Sequence, residues 1–372
     1  MLNFRTSILV RMCIFQQWGP VVILGAGAIR VLNKLALDAS LRQATIAKDL
    51  NFSRSAVNQV WSKLEEECNL RIQSNLDYGA LGFHSVYGWG SAATDRQAVD
   101  RMESWLSRNQ FTTTVYRSQM SSKEDTRVFF HSLVPSGHHL SDYFQSLERF
   151  RKRPYSLDIS YDQSLTIADY FNFGYYNAGD WDFESEYRFQ ASIVAARSYA
   201  SILPTGQSMK QSHSSEYDLV ERIIGSSLES DYFTTSPHVS ACLDRFHIST
   251  PSERTLRRKI RALRDSIAYP YMELENIGLP KTVLITLKES TGADIYRLLQ
   301  AQSSLFPRVR MLSGADSLVL ILKIPEKTNW FHISSAMSHI VDSSSETCIF
   351  IAECLPIRRR LMDVIEYLVS HS

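Results

Sequence analysis

Side chains able to do chemistry gather in three places along the 372 residues. His138, His139 and Asp142 offer two imidazoles and a carboxylate suited to proton transfer or metal ligation. They fall where a strand gives way to a helix, so a surface connection is expected there. Asp180, Asp182, Glu184 and Glu186 alternate beside Trp181 and Tyr187. No histidine lies in the same segment, so metal ligation is unsupported and a solvated acidic turn is expected. The third place is Ser252 to Arg264, SERTLRRKIRALR. On a helix at about 100° per residue, Leu256, Ile260 and Leu263 form one apolar stripe. Arg254, Arg258 and Arg261 take the opposite side, with Arg257 and Arg264 on a flank. Ser252 is placed to cap this helix. Arginine brings charge to phosphates and a two-pronged donor to guanine edges, so contact with DNA is expected of this face.

The composition narrows the choices. With 40 basic and 39 acidic residues, any nucleic-acid surface must be local. The cysteines Cys13, Cys68, Cys242, Cys348 and Cys354 are scattered without a CxxC, which argues against a zinc ribbon or a disulfide framework and suits a reducing cytoplasm. There is no GxGxxG, P-loop, HExxH or GxSxG, and Gly25-Ala26-Gly27 is too short to count. No metal, no cofactor and no enzymatic activity are expected. The apolar runs at 7–15 and 20–37 are interrupted by Arg11, Gln16, Gln17, Gly19, Pro20 and Arg30. They read as neither a signal peptide nor a membrane span, so a cytoplasmic protein with a buried first helix is expected.

The elements that would carry these residues recur twice. A helix over 20–38, a short helix from Leu41 to Leu50 and a third from Ser53 to about Glu67 make a helix-turn-helix. Arg71 to Phe83 reads as a hairpin wing. A strand, helix, strand, strand, helix, strand order then runs to Ser160, which is the ferredoxin-like βαββαβ arrangement. Residues 161–183 are aromatic and irregular, Glu184 to Leu203 is helical, and 204–215 reads as a linker. Helices at Glu216–Leu228, Val239–Phe246 and from Ser252 repeat the first three. A second βαββαβ order follows, with helices at Ala293–Leu305 and Trp330–Val341, and Arg358–Ser370 ends the sequence as a helix.

The repeat can be counted. Ser53, Val57, Trp61 and Leu64 match Ser252, Leu256, Ile260 and Leu263 at one offset, 252 − 53 = 199. Leu81-Gly82-Phe83 matches Ile277-Gly278-Leu279 at 278 − 82 = 196. On the exposed face, Arg254, Arg258 and Arg261 correspond to Ser55, Gln59 and Ser62, so one helix is cationic and the other neutral.

Ser53-x3-Val57-x3-Trp61-x2-Leu64-Glu65 with its Gly-centred exit, and Ser252-x3-Leu256-x3-Ile260-x2-Leu263 with its own, resemble the leucine-responsive regulators of the Lrp/AsnC family. The resemblance covers most of the chain as two fused copies. It implies an α+β protein with winged helix-turn-helix units at 1–83 and 216–279. Ferredoxin-like effector domains are implied at 84–203 and 280–372, joined through the linker. It implies a DNA-binding transcription regulator, a pseudo-dimer within one polypeptide, with double-stranded DNA as partner and no membrane. The plan leaves room for a small-molecule effector and for a homodimer. The DNA-reading residues would be Ser252, Arg254, Arg257, Arg258, Arg261 and Arg264 in one head. In the other they would be Ser53, Arg54, Ser55, Asn58, Gln59 and Ser62. The sequence departs from the family at Val60, at Glu65-Glu66-Glu67 and in the aromatic segment. The siroheme decarboxylases resemble the same two-part architecture and give the alternative reading, an enzyme. A module that binds a ligand or partner without touching DNA is the remaining alternative.

Overall fold

The computed structural model describes residues 21–121, 125–177, 179–182, 208–210, 217–288, 306–329, 333, 346–355, 357 and 359–371. The apolar run after Pro20 starts in extended conformation, because the Val22 amide bonds the Asn276 carbonyl at 2.8 Å. Helix α1 (Ala26–Leu37) therefore begins only after Gly25 and buries Val31, Leu32 and Leu35. Helix α2 (Gln43–Leu50) ends at Asn51, whose φ of 54° reverses the backbone. Ser53 then caps helix α3 (Arg54–Cys68), its hydroxyl accepting from the Ala56 amide at 3.1 Å. Val57, Trp61 and Leu64 of α3 close the small core over Ile46 and Leu35.

Strand β1 (Arg71–Leu76) follows. After it come β2 (Phe83–Ala92), helix α4 (Arg96–Arg108), β3 (Thr112–Ser121), β4 (Thr126–Pro135), helix α5 (His138–Arg151) and β5 (Asp158–Gln163). This is the expected βαββαβ order, with the last strand displaced from Tyr155–Ser160. The segment expected to be irregular contains β6 (Thr166–Phe171) and the two-residue strands β7 (Tyr176–Asn177) and β8 (Asp180–Trp181). Phe173, Tyr175 and Trp181 are buried there, and the Trp181 indole donates to the Ile277 carbonyl. The aromatic run thus packs across the seam to the second copy. Within the expected linker, Ser208–Lys210 forms β9 on the edge of β6, since that edge has free ladder groups to pair. The helix expected at Glu184–Leu203 lies outside the described residues.

The second copy opens with helices α6 (Leu219–Ser230), α7 (Ser236–Arg245) and α8 (Glu253–Ile267). Ser252 caps α8 by accepting from the Thr255 amide at 3.4 Å. The left-handed residues Asn51 and His247 stand 247 − 51 = 196 apart, and Gly82 and Gly278 share a φ of 84° at the same offset. That conformation is open to glycine and strained for other residues, so the duplicated exit is fixed by backbone geometry. Strands β10 (Ala268–Glu273), β11 (Lys281–Lys288), β12 (Arg308–Ser313), β13 (Ser317–Ile324) and β14 (Glu346–Cys354) follow, with helix α9 (Leu361–Ser370) last. The helices expected at 293–305 and 330–341 fall outside the described residues, Ile333 excepted. The protein is of α+β class, built of winged helix-turn-helix and ferredoxin-like parts. Among the described residues no helix is long and apolar enough to cross a membrane.

Two features depart from the plan of independent units. The expected wing hairpin at 71–83 is not formed within one copy. β1 pairs antiparallel with β10, from Arg71↔Glu273 to Leu76↔Ala268, so each copy supplies one strand of a shared ribbon. A lone strand exposes unpaired backbone groups, and the repeat brings a second strand to the same place. The copies also interlock: the core of α1–α3 is continuous with Val283, Leu320 and Val309 of the second copy. The core of α6–α8 is continuous with Phe83, Phe129 and Val86 of the first.

The main sheet runs β5-β2-β4-β3-β14-β11-β13-β12-β6-β9, antiparallel throughout. Only Ser164 and Leu165 separate β5, at one edge, from β6, near the other. The Ser164 amide bonds the Ser85 carbonyl and the Leu165 amide the Ser313 carbonyl, both at 2.7 Å. One stretch of backbone therefore bridges both edges, and the sheet curls into a barrel-like ring with β9 appended outside.

Candidate functional site

Side chains alternate across each strand, so the pairing register sorts the ring's two faces. Helix α4 packs against the side of Gly90, where Met102 fills the space a Cβ would take. Tyr87 and Trp89 therefore point inward. Tyr87 crosses the interior and donates its hydroxyl to the Ser317 carbonyl at 2.7 Å. By register, Phe129 and His131 of β4 and Tyr116 of β3 share that inner face. In the second half it carries Leu284, Ile321, Lys323, Arg308 and Arg310, with Asp169 opposite Arg310. The interior thus combines aromatic and aliphatic side chains with a cationic patch.

The ribbon of β1 and β10 lies over that patch. Arg310 donates from Nη2 to the Asn75 Oδ1 at 3.0 Å and stands 3.8 Å from the Asp169 carboxylate. The Asn75 amide nitrogen donates to the same carboxylate at 2.7 Å. Tyr271 donates to the Gln73 Oε1 at 2.7 Å, and the Arg310 guanidinium lies 5.6 Å from the Tyr271 ring. Arg308 pairs with Glu273 and stacks 5.0 Å from the Phe171 ring. Burial opposes the charge on Arg310, but Asp169, Tyr271 and Tyr78 outweigh it and hold the guanidinium firmly protonated. Burial would raise the Glu273 carboxyl as well, yet Arg308 first and then Lys323 and Arg310 hold it below the usual range. Burial pushes the Tyr271 phenol up to about 12 and raises Tyr116 further, so both remain hydrogen-bond donors at neutral pH. Just beyond, Tyr78 donates to the Glu229 carboxylate at 2.7 Å. The Leu361 amide, in the first turn of α9, donates to the other Glu229 oxygen at 2.9 Å.

His131 has a defined hydrogen-bond network. The Thr113 hydroxyl donates to the His131 carbonyl at 2.9 Å and lies 2.9 Å from Nδ1. A hydroxyl has one proton, so Nδ1–H must donate to Thr113. Nε2 is then the acceptor for Ser85 Oγ–H at 2.9 Å. Burial, with a smaller push from Arg310, lowers the imidazole to about 3, and it is neutral.

The residues expected to read DNA lie elsewhere, on α3 and α8. Arg254, Arg257, Arg258 and Arg261 are exposed. Arg257 pairs with Glu253, and Arg261 stands 3.7 Å from Asp265. Arg264 turns back into the protein, donating to the Tyr232 and Thr234 carbonyls at 2.9 and 3.1 Å. On α3, Arg54 is exposed, and Ser55, Asn58, Gln59 and Ser62 line a shallow open depression with Lys63 and Glu66. Ser53 and Ser252 have their hydroxyls engaged in the helix caps. His138 and Asp142 are exposed, with His138 against His139, whose ring meets Phe111 edge-on. Among the described residues no group of three or more histidine, cysteine or carboxylate side chains is arranged to hold a metal ion.

Sequence reasoning missed the inner-face set. Arg308-Val309-Arg310-Met311 alternates cation and apolar residue within a buried strand, and that was the available signal. Nothing local marked His131 or Asn75, which reach the site only through strand register.

No protein-family model matches the sequence, and no curated protein matches it. Among solved structures, the protein is similar to the siroheme decarboxylase NirDL, with a TM-score of 0.50 at 12% identity over 93% of this chain and 99% of that one. It is similar to the same enzyme in complex with an iron-uroporphyrin III analogue, with a TM-score of 0.50 at 12% identity over 92% and 97% of the two chains. At that identity the likeness is one of fold. It removes the ground for expecting no enzymatic activity, and that expectation is corrected: the fold read as a regulator's is also the fold of an enzyme.

Proposed function

We propose that the protein is an enzyme that binds a carboxylate-bearing, iron-containing tetrapyrrole at the Arg308–Arg310 patch and decarboxylates it. One observation carries the reading: the inner face sets Arg310, Arg308 and Lys323 beside aromatic rings and a neutral histidine. Arginine and lysine suit the carboxylate arms of such a ligand, and aromatic faces suit its flat macrocycle. The similarity in fold to a siroheme decarboxylase supports the same substrate class. In the reaction the bond joining a carboxylate to its arm breaks, carbon dioxide leaves, and the electron pair remains on the arm's carbon until a proton replaces the lost carboxylate. Arg310 would orient the departing carboxylate. Tyr116, held as the phenol within electrostatic reach of Arg308 and Arg310, would supply the proton. His131, neutral and fixed by Thr113 and Ser85, would furnish an uncharged polar wall.

The test is to incubate the purified protein with siroheme under anaerobic conditions and follow the product by mass spectrometry. Stepwise loss of carbon dioxide is expected. Unchanged siroheme, together with no absorbance change on titration with iron uroporphyrin III, would remove this reading.

A second reading, DNA binding, is favoured by the exposed guanidinium groups of Arg254 and Arg258 on the capped helix α8. The two helices present unlike faces, cationic on α8 and neutral on α3, so an asymmetric site is expected. Arg254→Ala with Arg258→Ala should remove about two phosphate contacts and flatten the salt dependence of a gel shift accordingly. An unaltered salt slope would exclude α8 as the contact.

A further inference from the structure

We infer that Asn75, on the wing strand of the first helix-turn-helix unit, is a positioning residue for Arg310. The inference rests on the tetrapyrrole reading above and adds a role for the helix-turn-helix units within it. Three residues carry it. Asn75 accepts from Arg310 through Oδ1 at 3.0 Å and donates through Nδ2 to Asp169 at 2.7 Å. It therefore sits between a cation and an anion that would otherwise close on each other. Arg310 and Asp169 are directly opposed in the register of β12 and β6, yet their nearest charged atoms are 3.8 Å apart. Arginine and carboxylate left alone favour a closer, bidentate pair. With the amide between them, the Arg310 side chain keeps 28% of its surface open while that of Asp169 keeps 10%.

The spacer has to be an amide. It must accept from the guanidinium on one side and donate to the carboxylate on the other, and the carboxylate of aspartate would lack the donor. It also has to come from outside the sheet, because both partners are already neighbours within it. The wing ribbon meets that need. β1 and β10 turn Gln73, Asn75, Tyr271 and Glu273 toward the same mouth of the ring, where Glu273 engages Arg308 and Gln73 holds Tyr271. The ribbon thus acts as a rack that keeps Arg310 extended toward an anionic ligand.

Affinity for iron uroporphyrin III, read by absorbance titration, tests this together with thermal unfolding. Asn75→Ala lets Arg310 collapse onto Asp169, and affinity is expected to fall about tenfold with a single cooperative unfolding transition retained. Adding Asp169→Asn removes the competing carboxylate and is expected to restore most of that loss, which mere structural damage would not allow. Asp169→Asn alone gives a second reading should Asn75→Ala fail to fold: affinity should equal or exceed that of the parent. Parent-like binding by Asn75→Ala, no rescue in the double variant, or weaker binding by Asp169→Asn would each overturn the role of Asn75. If instead Arg310→Ala binds as well as the parent, the tetrapyrrole reading itself falls, which separates the two failures.

Discussion

Arg310→Ala is expected to weaken the binding of iron uroporphyrin III by one to two orders of magnitude and to abolish decarboxylation. A hydrogen bond to a charged group contributes roughly 1.5–3 kcal/mol, and each 1.4 kcal/mol is tenfold in affinity. The same change should lower stability by about 1–3 kcal/mol, since Asp169 keeps Asn75 but loses its nearest cation. Both effects are measurable separately, by titration and by urea unfolding. Adding Asp169→Asn to Arg310→Ala should recover stability without recovering binding. If binding and stability recover together, Arg310 is a structural ion pair and the inner patch does not hold the ligand.

The second large effect concerns pH. His131 sits at about 3 in the folded protein, against about 6.5 for a free histidine. As pH falls below 6.5 the unfolded protein takes up a proton that the fold refuses, so stability is lost on acidification and is unaffected above that range. The full one-proton slope is about 1.4 kcal/mol per pH unit. Between about pH 6.5 and 5 this contribution amounts to roughly 2 kcal/mol; burial raises the Glu229 carboxyl, whose protonation in the fold acts in the opposite sense. Urea unfolding across that window should lose stability more steeply in the parent than in His131→Asn, which keeps the contribution of the depressed His139 imidazole. The variant should already be less stable at pH 8, because Ser85 and Thr113 lose their imidazole partner. Equal slopes in both proteins would mean that His131 is protonated in the fold.

The sequence made the helical heads legible because their signals are local. Ser53 and Ser252 cap within three residues, the apolar stripes repeat every turn, and Gly82 and Gly278 require the same backbone conformation. The βαββαβ order was legible for the same reason. The candidate site was not, because its parts are remote in sequence: Asn75 meets Asp169 and Arg310 across 94 and 235 residues. Register decides which side of a strand faces inward, and register is set by partners the sequence does not name. The cationic face of α8 drew attention because it is contiguous, and Arg264, its last member, proved to be spent on two backbone carbonyls. The wing was misjudged on the same grounds, since 71–83 has the length of a hairpin but its pairing partner lies in the other copy.

The shared ribbon and the interlocked cores lie within one polypeptide, which bears on how the protein can change. A ring assembled from two separate subunits dissociates on dilution, and its halves are free to exchange with other copies. Here one polypeptide carries both halves, so the ring persists at any protein concentration. Each half also meets the same partner for the life of the molecule. Arg310 needs only Asp169 across from it, and no second Asp169 has to be preserved in the mirror position. Fusion therefore frees the two halves to diverge, one keeping an arginine patch while its counterpart becomes something else.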